Sequence, residues 1–200
     1  MKRLFIILTS VVFLFSSCND SSKSKDTEQE PSAEPVNSKY EIASEAYSEL
    51  NEQALMHMAN LDFDAWGEML DDNVEYFFPD GDADTRTVLK GKNKVLRWWQ
   101  DWKANSGIEK MSFENTVHVP VISKEELKYS GLTGVIVISY FSNEMVYDGR
   151  ATSVRMNFAS HYTQDSLIDK IYTYYDRTPI INTVKIDLLS RKGDSSDKKK

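Results

Sequence analysis

The stretch GVIVISYFSNEMVYDGRATSVRMNFASHY, residues 134–162, decides the fold. Its first half is dense in β-branched and aromatic side chains, with Val135, Ile136, Val137 and Ile138 at its heart. Tyr147-Asp148-Gly149-Arg150 then puts Asp-Gly where a two-residue hairpin turn needs positive backbone φ. The second half alternates, with Val154, Met156, Phe158, Ser160 and Tyr162 on one face and Arg155, Asn157, Ala159 and His161 on the other. Two long antiparallel strands with one apolar face need something to cover that face.

Working outward, Gln164–Ser166 reads as a turn and Leu167–Asp176 as a closing strand rich in Ile and Tyr. On the other side Met111–Ile122 is β-rich, with Pro120 marking an edge or a bulge. Upstream of Gly107 the period changes to that of helices. Ser38 and Glu41 form an S-x-x-E capping box, followed by Ile42, Ala46, Leu50, Ala54, Met58 and Leu61 along one face of a long helix. Asp62 caps a shorter helix carrying Phe63, Trp66, Met69 and Leu70; Asn73–Phe78 is extended, and Pro79-Asp80-Gly81-Asp82 is turn chemistry. Gly91 precedes a third helix with Val95, Trp99 and Trp102 on one face and Trp98 beside it. Helices first and strands after predict an α+β fold, in which three helices cover one face of a curved antiparallel sheet. Such a packing makes a cone with an apolar pocket at its open end.

The N-terminal part carries an address. Lys2 and Arg3 precede an apolar run, Leu4–Phe15, that is shorter than the roughly 20 residues of a membrane span. Ser16 and Ser17 then lead into Cys18, the only cysteine. This pattern resembles the lipobox of bacterial lipoproteins, with Phe15 where Leu is more usual. The resemblance implies a signal peptide at 1–17, lipid on Cys18, export, and anchoring of the protein to a membrane of the bacterial envelope. Residues 18–37 read as the lipidated cysteine and a polar, disordered tether, 38–182 as the domain, and 183–200 as a tail with a flexible end. Without Lys2 and Arg3 the 24 basic residues fall to 22 against 31 acidic, a net charge of −9. That balance speaks against nucleic acid as a partner. An acylated Cys18 leaves no thiol for disulfides, nucleophilic catalysis or a cysteine-rich zinc site.

Several phrases then align with a known architecture. Leu61-Asp62-Phe63-Asp64-Ala65-Trp66 through Phe77-Phe78-Pro79, Leu89-Lys90-Gly91 before a helix, and Ile168–Asp176 resemble the cystatin-like α+β barrels of the nuclear transport factor 2 superfamily. Within it the chain is similar to the SnoaL-like group, which includes polyketide cyclases and ketosteroid isomerases. The resemblance implies a cone-shaped barrel and, on its outer sheet face, a possible homodimer. The isomerase chemistry needs a carboxylate base before a proline, a phenol on the first helix and a second acid on a central strand. Those positions fall here on Phe78, Ala54 and Phe158. None can move a proton or hold an oxyanion.

The remaining candidates are sparse. His57, His118 and His161 follow no metal-ligating or catalytic spacing, though His161 shares a face with Arg155 and Asn157. Asp62, Asp64, Asp71, Asp72, Asp80, Asp82 and Asp84 lack the glycine-terminated calcium-loop pattern, so caps and turns explain them, and no metal or cofactor is expected. Trp66, Tyr76, Phe78, Trp99, Trp102, Phe158 and Tyr174 are expected to line the pocket. The leading expectation is a membrane-anchored domain that binds a small apolar molecule or a protein partner without turnover. The alternative is an isomerase-, cyclase- or hydrolase-type enzyme using Tyr76, Asp80 or His161.

Overall fold

The computed structural model describes residues 38–189; Cys18, the leader and the tether lie outside them. The order is β1 (Tyr40–Ile42), α1 (Ala46–Ala59), α2 (Phe63–Glu68), β2 (Leu70–Phe77), β3 (Val88–Lys90), α3 (Lys92–Asn105), β4 (Ile108–Ser123), β5 (Gly134–Tyr147), β6 (Arg150–Tyr162), β7 (Ile168–Tyr175) and α4 (Thr178–Val184). One seven-stranded sheet runs β1-β4-β5-β6-β7-β2-β3. Every pairing is antiparallel except β2 with β7.

The β5–β6 hairpin forms as its sequence predicts, with Asp148 at φ 46° and Gly149 at φ 73° in the turn. Val154, Met156, Phe158, Ser160 and Tyr162 are all buried. They join Phe141, Met145 and Tyr147 of β5 and the buried faces of α1, α2 and α3 around one core. Pro120 lies in β4 opposite Val137, where the strand emerges from under short β1, and its carbonyl accepts from the Ala43 amide at 3.0 Å. The missing N–H therefore falls at a near-edge position. A bulge between Glu114 and Val117, with Asn115 at φ 53°, interrupts the β4 register. Gly91 at φ 89° starts α3 and donates its amide to the Val74 carbonyl at 2.8 Å.

Four expectations need correction. The first helix starts at Ala46 rather than just after Ser38, because Tyr40–Ile42 pair with Val121–Ser123 and continue the sheet. Ile42 is consequently 77% exposed instead of buried on a helix. Leu70 belongs to β2, fully buried opposite Ile168, and not to α2. A fourth helix, α4, follows the closing strand, with Pro179 in its first turn. The packed chain also continues past 182, since Val184, Leu188 and Leu189 rest against the core.

On the opposite face of the sheet the β4–β5 connection folds back. Leu127 and Leu132 cover Ile136, Ile138, Ala159 and Tyr172 there in a small second cluster. None of the helices among the described residues is long and apolar enough to cross a membrane.

Candidate functional site

The helices and the concave sheet face enclose a cavity with about 620 Å³ of unfilled space, its mouth included. Only about 60 Å³ of this admits the centre of a water molecule, room for a few waters or one small ring. Trp98, Trp99 and Trp102 form one wall from α3, where helical spacing turns them the same way. Tyr76 and Phe78 come from β2 and its end, Asn143 from β5, and Phe158 from β6. Ile180, Ile181 and Leu188 close over the mouth from α4 and the chain beyond it. Arg177 and Asp187 pair with each other there.

Five residues expected at the pocket line it: Tyr76, Phe78, Trp99, Trp102 and Phe158. Trp66 does not. It is 1% exposed behind the wall, edge-on to Tyr76 at 6.4 Å and to Trp99 at 6.2 Å. Tyr174 is on the other face, 44% exposed, with its ring 5.2 Å from the Arg86 guanidinium. Alternation along β7 turns its neighbour Tyr175 into the cavity instead. Asn143, Tyr147 and the methionines Met111, Met145 and Met156 were missed, although residues 141, 143, 145 and 147 share one strand parity with Phe141.

The interior carries no free charge. Asp187 is the one carboxylate among the lining residues, and it sits at the mouth on Arg177. Burial, and after it the neighbouring Tyr175, hold the Tyr76 phenol well above its ordinary pKa of 10, with Thr173 opposing weakly. Tyr175 is pushed up to about 12 by burial, with Arg177 opposing. Both rings stay neutral at physiological pH. The Tyr76 hydroxyl, the Trp99 Nε1 and the Asn143 Oδ1 are buried in this lining with no hydrogen-bond partner.

No protein-family profile matches the chain, and no curated protein is detectably similar in sequence. Solved structures do match. A candidate polyketide cyclase from Xanthomonas campestris pv. campestris is 14% identical; the match covers 69% of this chain and 96% of that one, with a TM-score of 0.54. A second candidate polyketide cyclase, from a Silicibacter species, is 12% identical over 72% of this chain and 98% of its own, at 0.54. A nuclear transport factor 2-like protein of unknown function from Burkholderia pseudomallei is 10% identical over 70% and 98%, at 0.52. The domain has the nuclear transport factor 2-like fold. At such identities the likeness speaks for architecture, and the chemistry must be read from the cone of this nuclear transport factor 2-like domain itself.

In that cone Phe78 and Phe158 line the cavity and Ala54 is buried on α1, so none of the three isomerase positions offers a polar atom. Asp80 is not among the lining residues. Its carboxylate accepts from the Thr87 amide at 2.8 Å and from the Thr87 hydroxyl, fastening the 79–87 loop. His161 lies outside the cone, with Nδ1 on Asp169 and Nε2 on the Thr133 carbonyl at 2.7 Å. The Asp169 bond comes first among the causes that raise its pKa. Both ring nitrogens face acceptors, which suits an imidazolium holding the β4–β5 connection and leaves no lone pair for a base.

Ser139, His118 and Glu52 form a chain that superficially suits nucleophilic catalysis: Ser139 Oγ to His118 Nδ1 is 2.8 Å, and His118 Nε2 to Glu52 is 2.7 Å. Ser139 is fully buried, and Asn51 donates into its hydroxyl at 2.8 Å. Tyr162 in turn donates to Asn51 at 3.1 Å. No substrate carbon can reach that oxygen, so the network ties α1 to the sheet. Among the described residues no group of three or more His, Cys, Asp or Glu side chains is placed to hold a metal ion.

Proposed function

We propose that the cone binds a small, mainly apolar molecule and does not turn it over. The observation that carries this reading is the lining: aromatic rings and methionines surround the space, its phenols are neutral, and the only charged lining groups among the described residues, Arg177 and Asp187, are paired with each other at the mouth. A crystal structure of the full-length chain purified from cells tests it. Bound density in the cone supports the reading. Saturable turnover of a carbonyl or epoxide substrate by the chain refutes it.

The enzymatic alternative keeps two supports: Tyr76, a lining residue whose buried hydroxyl has no partner, and neighbours named as cyclases. It lacks a partner that could accept a proton. A protein partner, such as a second copy of this chain, has support on the outer sheet face, where Val117, Tyr140 and Tyr174 are about half exposed along one cross-strand row, with Asn157 between the two tyrosines. Light scattering that returns a monomer at high concentration refutes a homodimer.

We also propose that the chain is exported and held to a bacterial envelope membrane by lipid on Cys18, as its leader pattern suggests. A Cys18→Ala variant should leave the membrane fraction, and unchanged partitioning refutes the anchor.

A further inference from the structure

We infer that residues 178–189, α4 and the chain after it, form a strap that opens as a unit to let the cone's ligand in and out, with the Arg177–Asp187 pair as its latch. This names the regulation of the binding site proposed above and rests on that reading. The walls of the cone differ in how firmly they are held. The strands are fixed by their ladders, and α3 buries Val95, Trp99 and Trp102. Helix α4 leaves no residue fully buried, although Ile180 and Ile181 line the cavity together with Leu188 and Leu189 beyond it. Sheet pairing ends at Tyr175. Within the strap the Ile181 amide donates to the Arg177 carbonyl at 3.0 Å and the Lys185 amide to the Ile181 carbonyl at 2.8 Å. The Thr183 hydroxyl donates to the Pro179 carbonyl at 2.9 Å and the Leu189 amide to the Asp187 carboxylate at 3.0 Å. Lifting the strap therefore breaks no strand pairing and exposes only half-buried apolar groups, so it opens well before the core does.

Its two ends show how it moves and what holds it shut. At the root the Asp176 carboxylate accepts from the Thr178 amide at 2.8 Å, and Pro179 stands in the first turn, so α4 starts as one stiff piece. At the far end Lys185 has φ 65° and turns the chain back over the mouth. That turn brings Asp187 onto Arg177, 10 residues earlier, and a single ion pair joins the distal end of the strap to its root. Both partners line the cavity's mouth and both are partly exposed, at 34% and 19% of their side chains, so dissolved salt weakens the latch. A ligand enters and leaves through the open form and is held in the closed one. Weakening the latch then speeds entry and exit alike and leaves the affinity unchanged.

The test uses the full-length chain, benzene as the probe, and Asp187→Asn, which keeps the side chain's size and removes its charge. Hydrogen exchange at the Ile181 and Lys185 amides reads the strap, and indole N–H line shapes of Trp98, Trp99 and Trp102 read the benzene rates. The strap amides should exchange roughly a hundredfold or more faster than the slowest amides of β5 and β6. In Asp187→Asn their exchange and both benzene rates should rise together by about fivefold, the weight of one partly exposed ion pair, at constant Kd. Raising salt to about 1 M should do the same to the unaltered chain. Arg150→Ala, which removes the exposed pair with Asp148 at the β5–β6 turn, should change neither reading. Strap amides that exchange only with the core overturn the inference whatever the cone binds, and opening indifferent to both Asp187→Asn and salt overturns the latch. A strap that opens faster while the benzene rates stand still overturns the gate and leaves the binding reading intact. Strap opening without saturable benzene binding overturns the binding reading and the gate with it.

Discussion

Tyr76→Phe should make this protein more stable. The substitution removes one oxygen and keeps the ring, with its contacts to Trp66 at 6.4 Å, Phe78 at 4.8 Å and Trp99 at 5.7 Å between centroids. The hydroxyl removed is fully buried and has no partner of normal hydrogen-bond geometry. Thr173 lies near it and gives its own proton to the Phe77 carbonyl at 2.8 Å, and its oxygen is not placed to accept from the Tyr76 hydroxyl. A buried hydroxyl left unpaired costs about 1–3 kcal/mol, and replacing it with hydrogen recovers that penalty without opening a cavity. Taking the low end, the gain is about 1 kcal/mol, which raises Tm by roughly 2–4 °C in a domain of this size. Urea unfolding followed by Trp fluorescence gives the same answer through the midpoint, with an unchanged m-value. A loss of 1 kcal/mol or more refutes the reasoning, because it means the hydroxyl is satisfied within the fold.

Other perturbations follow from the same geometry. Arg86 is buried and donates to the Phe78 carbonyl at 2.8 Å and the Thr173 carbonyl at 2.9 Å, so Arg86→Met should lower stability by about 3 kcal/mol in urea unfolding. The exposed Arg150→Ala should change it little. His161 has a raised pKa through its bonds to Asp169 and Thr133, opposed by burial and Lys170. Its contribution to stability is therefore fully present below the unfolded value near 6.5 and is lost as pH rises through the folded value; His161→Gln should flatten thermal stability across that window. Truncation after Arg177 removes Ile180, Val184, Leu188 and Leu189 from the core's edge and Asp187 from Arg177. Stability should fall by about 2–4 kcal/mol, and the uncovered cone should bind more of an apolar dye.

Much of this architecture was legible because it is repetitive. Residues 150–162 alternate without a break, and Asp148-Gly149 can serve few purposes but a tight hairpin. Trp99 and Trp102 declare a shared face through helical spacing alone. Where local and distant preferences conflict, the sequence misleads. Ser38 and Glu41 satisfy a capping rule, yet the three residues after Lys39 gain more by pairing with the open edge of β4. The Tyr174 error is one of parity: near the end of a strand, adjacent tyrosines differ only in which face they meet, and Tyr175 meets the cone. Helix α4 is one short turn-rich segment with no periodic stripe, and only Pro179 hinted at it. The unpaired atoms were beyond reach altogether. Tyr76, Trp99 and Asn143 come from a strand, a helix and another strand far apart in sequence, and only folding reveals that none of them finds a partner.

Uptake of an apolar molecule by the cone is open to direct measurement. Titration with benzene, a single small ring, measures it, with the shifts of the Trp98, Trp99 and Trp102 indole N–H resonances on that wall as the signal. Saturable binding is expected at one site per chain, abolished by Phe158→Asp in a protein that keeps its far-ultraviolet circular dichroism, since that substitution places a charge on the cavity wall. Absence of saturable binding to the folded protein, or binding that Phe158→Asp leaves intact, contradicts it.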